Sequence, residues 1–97
     1  GLNMAVSGIP WWTTDIGGFH SGDPTTPEFR ELMIRWFQYG VFCPLCRLHG
    51  VRLPVDDQRL GGADNEVWSF GEEAYETIRG LLALRERLRS YIGKQME

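Results

Sequence analysis

Ninety-seven residues, 42% of them hydrophobic and 24% charged, allow one modest domain and exclude wholesale disorder. The formal net charge of −3 argues against a nucleic-acid partner, which calls for a basic surface, and no run approaches the roughly 18 apolar residues of a membrane span. Two cysteines are too few for a disulfide framework, whereas four tryptophans and twelve glycines are many for so short a chain.

Residues 1–8 lack the charged region and apolar run of a signal peptide. The apolar run at residues 9–12, bounded by Gly8 and by Thr13-Thr14-Asp15, predicts a first strand. A Gly/Ser/Asp-rich loop follows, then a helix over residues 27–39. Thr25 or Thr26 caps that helix, Pro27 suits its first turn, and Glu28 and Glu31 complement its N-terminal dipole. Phe29, Leu32, Met33, Trp36 and Phe37 mark its apolar face, and Gly40 stops it. Residues 41–48 predict a second strand, interrupted by Pro44. Residues 51–65, with Pro54, Asp56-Asp57 and Gly61-Gly62, predict a loop. A long helix closes the chain over residues 70–92, with Ser69 as cap and Glu72 completing a capping box. Tyr75, Ile78, Leu82, Leu88 and Ile92 form its apolar stripe, and Leu81, Leu84 and Tyr91 widen it.

Strands alternating with helices predict an α/β architecture with a parallel sheet, because each helix returns the chain to start the next strand in the same direction. Segments following the strands, residues 15–19 and 47–50, then emerge at one sheet edge, where barrels and open α/β sheets bind ligands. Asp15 and His49 become candidate neighbours. Two parallel strands make a poor sheet by themselves. The chain therefore reads as a piece of a larger barrel, whose open edges need the remainder of that barrel or invite self-association.

Gly8-Ile9-Pro10-Trp11-Trp12-Thr13-Thr14-Asp15-Ile16-Gly17-Gly18-Phe19 is the most specific stretch. A carboxylate accepting from hydroxyls beside rings that cover apolar C–H faces is sugar-site chemistry; an Asp capping a turn beside core tryptophans explains the same residues. Cys43-Pro44-Leu45-Cys46 with His49 invites a redox or zinc reading, but the pair lies in an apolar run, and a structural zinc site needs four ligands. Buried inert thiols fit better, and no metal or cofactor is expected. His20 in its polar loop reads as solvent-exposed, and adjacent Asp56-Asp57 as a solvated turn. Gly17-Gly18 lacks the companions of a phosphate loop.

The first of these stretches, then Arg35-Trp36-Phe37-Gln38, then Phe42-Cys43-Pro44-Leu45-Cys46-Arg47-Leu48-His49-Gly50, resembles glycoside hydrolase family 31, the α-glucosidases and α-xylosidases. The resemblance is strong over residues 1–50 and looser over residues 66–97. It implies a (β/α)8 TIM barrel in which this chain supplies the last two strand–helix units. It also implies that Asp15 and His49 hydrogen-bond the sugar in the −1 subsite and that Phe19 lines the same pocket. Arg47 then supports the site, and Trp11 and Trp12 are either pocket wall or barrel core. The implied partners are an α-glucoside or α-xyloside and the rest of the barrel. Retaining glycosidases use two carboxylates about 5 Å apart. The family's nucleophile, in a Trp-x-Asp-Met-x-Glu-like stretch, and its acid/base, in a Trp-x-Gly-Asp-like loop, have no counterpart in this sequence. The expectation is a fragment of a retaining α-glycosidase, inactive by itself. A non-catalytic carbohydrate-binding or interaction module, and a Cys-pair redox or metal protein, are the competing readings.

Overall fold

The two segments with a helical apolar period become the two long helices. A computed structural model describes residues 1–56, 58 and 61–97. In chain order the elements are α1 (Leu2–Val6), β1 (Asp15–Ile16), α2 (Pro27–Gly40), β2 (Arg47–Leu48), β3 (Arg52–Asp56), β4 (Gly61–Ala63) and α3 (Glu72–Gln95).

The start of α2 is set locally. Thr26 is extended, and its hydroxyl accepts from the Phe29 N–H at 3.4 Å, while Pro27 has no N–H to leave unsatisfied. Just upstream, the Asp23 carboxylate accepts from the Thr25 hydroxyl (2.6 Å) and N–H (2.8 Å). These bonds favour its charged form and hold its pKa below the ordinary carboxylate value.

One face of α2, with Phe29, Met33 and Phe37, continues through Val41 into a core shared with Ile16 of β1, with Phe70 just before α3, and with Ala74 and Ile78 in its first turns. Each large apolar side chain buried in this way contributes about 1.5–3 kcal/mol relative to exposure. The Phe29 and Phe70 rings meet edge to face, with centroids 6.1 Å apart. At Gly40 a Cβ would lie 2.7 Å from Ile16 Cδ1, so a glycine lets α2 close down on β1. Leu32, expected on the apolar face, is exposed instead.

β1 and β2 pair in parallel, Asp15 with Arg47 and Ile16 with Leu48, and an isolated parallel bridge joins His20 to Val51 further along. β3 and β4 form a separate antiparallel pair with an irregular register.

Four expectations change. No strand forms at residues 9–12, where Ile9 and Trp11 are exposed; the pairing backbone comes later, at Asp15–Ile16. Only Arg47–Leu48 of the predicted second strand is paired. The chain before it turns, held by the Arg85 guanidinium, which donates to the carbonyls of Val41 (2.9 Å), Cys43 (2.7 Å) and Pro44 (3.0 Å). The predicted loop at residues 51–65 contains the β3–β4 pair, because strand pairing here tolerates Pro54 and uses Gly62, whose Cβ would lie 2.2 Å from the Arg52 carbonyl. Ser69 does not cap α3: its hydroxyl is engaged with Glu66, and Gly71 is the N-cap.

Only Ala74 and Ile78 of α3 are buried, so its C-terminal half extends beyond the core. The radius of gyration, 14.5 Å, accordingly exceeds the roughly 12.5 Å of a compact domain this long.

Candidate functional site

Because β1 and β2 run the same way, the segments following them leave at one edge. Asp15 stands directly across from Arg47. Both Arg47 bonds, from Nε (2.8 Å) and from Nη2, fall on Asp15 Oδ1. Among the described residues nothing bonds Oδ2, which leaves an oxygen able to accept from a ligand hydroxyl. The Arg47 side chain is 56% exposed, so this ion pair orients the carboxylate more than it stabilises the fold.

Beyond β1 the chain turns sharply. Gly17 and Gly18 have φ of +86° and +82°, and the Gly18 N–H closes the turn on the Asp15 carbonyl at 2.8 Å. The turn delivers Phe19, whose ring centroid lies 5.6 Å from that of His49 with the planes 37° apart. The His20 ring meets Phe19 edge-on at 4.8 Å. The Val51 N–H donates to the Phe19 carbonyl at 3.0 Å, which holds the two segments side by side. Four residues singled out in the sequence, Asp15, Phe19, Arg47 and His49, are thus gathered at one sheet edge, with His20 beside them.

Trp11 packs elsewhere. Trp11 lines a groove of about 680 Å³ with Pro44 and, from α3, Leu82, Arg89 and Ile92. The Trp12 indole N–H is buried with no acceptor among the described residues. Trp36 instead supports the edge from below: its indole N–H donates to the Thr14 hydroxyl at 2.7 Å, and its ring lies where a Gly18 Cβ would touch it.

Sequence reasoning missed Arg52 and Asn65. Arg52 is fully buried. Its guanidinium donates to the carbonyls of Gly18 (2.8 Å), Ser21 (3.0 Å), Ile16 (3.1 Å) and His49 (3.3 Å), and to Asn65 Oδ1 (2.8 Å). Burial lowers its pKa from the usual arginine value, yet an arginine stays charged at any physiological pH. Its only sequence signal was an arginine beside apolar residues just after the His49 segment.

The cysteines are free thiols. Cys43 Sγ lies 3.7 Å from the Tyr39 carbonyl, and Cys46 packs against the core, where burial raises its pKa. Asp56 accepts from the Gln58 N–H at 3.1 Å, and Asp57 lies outside the described residues. The edge itself offers a carboxylate acceptor, an imidazole and an exposed aromatic face. That set suits a polyol ring, with hydroxyls at its rim and C–H groups on its faces.

A family model described as the glycosyl hydrolases family 31 TIM-barrel domain matches residues 1–95. The alpha-xylosidase of Saccharolobus solfataricus is 45% identical over 92 residues, which is 95% of this chain and 11% of that protein. Human neutral alpha-glucosidase C is 37% identical over 86 residues, 89% of this chain and 8% of that protein. Among solved structures, a family 31 alpha-xylosidase from a soil metagenome, complexed with xylose, is 56% identical with a TM-score of 0.84 over 95% of this chain and 15% of that one. The Aspergillus niger xylosidase is 37% identical with a TM-score of 0.80, again over 95% of this chain and 14% of that one. The chain therefore spans about a tenth of the length of the curated relatives it matches.

Proposed function

This chain belongs to glycosyl hydrolase family 31, and from that premise we propose that it is the part of a retaining α-glycosidase that binds the sugar ring at the −1 subsite. Residues 1–97 then form one partial barrel domain, the last two strand–helix units of a (β/α)8 barrel, with β3 and β4 in the connection before α3. The parallel β1–α2–β2 unit supports this placement, since parallel neighbours are joined through a crossover helix. The rest of the barrel would cover the open edges of the β1–β2 pair.

One observation carries the reading: Asp15–Arg47 and Phe19–His49 pair across the β1–β2 segments at the edge where the strands end. In this assignment Asp15 accepts from sugar hydroxyls through the oxygen Arg47 leaves open, His49 hydrogen-bonds the same ring, and Phe19 covers an apolar face. Arg47 fixes the carboxylate. Trp11 is barrel packing rather than pocket wall, in keeping with its place beside Pro44 and α3, and Trp12 is pocket wall or barrel core. The substrates are α-xylosides or α-glucosides, the classes named by its relatives. The two carboxylates that break the glycosidic bond come from stretches this sequence does not carry, so the chain alone is inactive.

Kinetics of the complete glycosidase containing this segment test the assignment. Asp15→Ala and His49→Ala are each expected to lower kcat/KM on an aryl α-xyloside or α-glucoside by about a hundredfold or more, since contacts to sugar hydroxyls strengthen in the transition state by several kcal/mol. The variants should keep the wild-type melting transition. Near-wild-type kinetics on both substrates would sink the assignment.

A further inference from the structure

We propose that Arg52 and Asn65 are positioning residues that set the spacing of Asp15, Phe19 and His49; the inference rests on reading that edge as the sugar subsite. The acceptors of Arg52 are distributed in a telling way. Ile16 ends β1 beside Asp15, and Gly18 and Ser21 lie in the segment leaving it on either side of Phe19, whereas His49 belongs to the segment leaving β2. One planar guanidinium thus bridges the two segments that carry the sugar-facing side chains.

The partners of Arg52 are all neutral oxygens. A buried cation is costly unless its donors are satisfied, and a carboxylate would satisfy them more cheaply. Four carbonyls and an amide oxygen satisfy them here, so the charge is held by backbone whose position it fixes in return. Asn65 completes the arrangement. Its Oδ1 accepts from Arg52 Nε, while its Nδ2 donates to the Gly50 carbonyl at 3.1 Å, immediately after His49. The segments are drawn so close that a Cβ on Gly50 would lie 2.2 Å from the Gly18 carbonyl oxygen. Phe29, 5.3 Å from the guanidinium carbon, closes one face of the group against solvent.

Lysine cannot do this. It offers a compact point charge, whereas the five N–H groups of arginine lie in a fixed fork. Removing the fork takes a donor from the buried Ile16 carbonyl and from part-buried carbonyls on both segments, and frees the segments to move relative to each other. A displacement of about 1 Å at a reacting site can cost as much as a hundredfold in rate.

The experiment uses the complete glycosidase containing this segment, with Arg52→Lys, Asn65→Ala and, as reference, Asp15→Ala. Each is assayed well below its own melting temperature on an aryl α-xyloside, with xylose as competing inhibitor. Arg52→Lys is expected to lower kcat/KM by about 10- to 100-fold, and Asn65→Ala by about tenfold, with xylose inhibition weakened in both. A residue that serves stability alone would lower the melting temperature and leave the rate and the xylose inhibition constant of the folded enzyme unchanged. That result for Arg52→Lys overturns the proposal; should Arg52→Lys not fold, Asn65→Ala decides by the same two readouts. If Asp15→Ala loses activity while the Arg52 and Asn65 variants retain it, only the positioning role fails. If Asp15→Ala also retains activity, the sugar-subsite reading fails with it.

Discussion

Gly17 and Gly18 look interchangeable as a pair of turn glycines, but their surroundings separate them. Both have positive φ, so alanine at either carries a backbone cost of about 1–2 kcal/mol. A Cβ at Gly18 finds nothing nearer than 3.9 Å. At Gly17 it would lie 2.4 Å from Met33 Sδ and 2.6 Å from Arg52 Nη2, and neither neighbour can yield freely, one being core and the other held by four carbonyls. Gly17→Ala is therefore expected to destabilise by about 1–3 kcal/mol more than Gly18→Ala, adding overpacking to strain. Denaturant titration of the two variants measures the difference, and equal losses would contradict the close packing at Gly17. The tight path was legible because two adjacent glycines after a strand-end Asp mark a turn. Arg52 was not legible. Its acceptors come from positions 16, 18, 21, 49 and 65, and no local pattern announces a cation whose partners are backbone oxygens scattered along the chain.

Among the elements, the two long helices were readable and the short α1 was not, while of the strands only β2 fell inside a predicted one, at residues 41–48. Residues 27–39 carry a period that tertiary packing reinforces, and the observed helix, Pro27–Gly40, differs by one residue at its end. Strands of two residues, Asp15–Ile16 and Arg47–Leu48, are too short to show a two-residue alternation, so the apolar run at residues 9–12 drew the assignment instead. Pro54 and Gly61-Gly62 hid the β3–β4 pair by looking like punctuation. The capping signals divide in the same way. Thr26 bonds the backbone N–H of α2, whereas Ser69 is bonded to Glu66 before α3 begins. Thr26→Ala is thus expected to cost about 1 kcal/mol, and Ser69→Ala only a few tenths. Thermal melts of the two variants check this ordering, and the reverse order would show that Ser69 caps α3 after all.

Among the described residues the molecule has one small core, a two-stranded parallel sheet with no further strand beside it, and a long helix buried only near its start. Those features fit a segment that completes a barrel. On the proposed reading they also explain why the candidate site is an edge rather than an enclosed pocket, since the chain spans about a tenth of the length of its curated relatives. Family membership was legible because the motifs are dense in Trp, Gly, Asp and His, while sugar selectivity was not, since the chain spans about a tenth of the length of its curated relatives. The central claim, that Asp15 and His49 hold the sugar, is tested most directly by a crystal structure of the complete glycosidase soaked with xylose. The expected result places a xylose hydroxyl within about 3.2 Å of Asp15 Oδ2 and another within reach of the His49 imidazole, with the Phe19 ring against the sugar. Xylose bound in the active-site pocket without contact to Asp15 or His49 would contradict it.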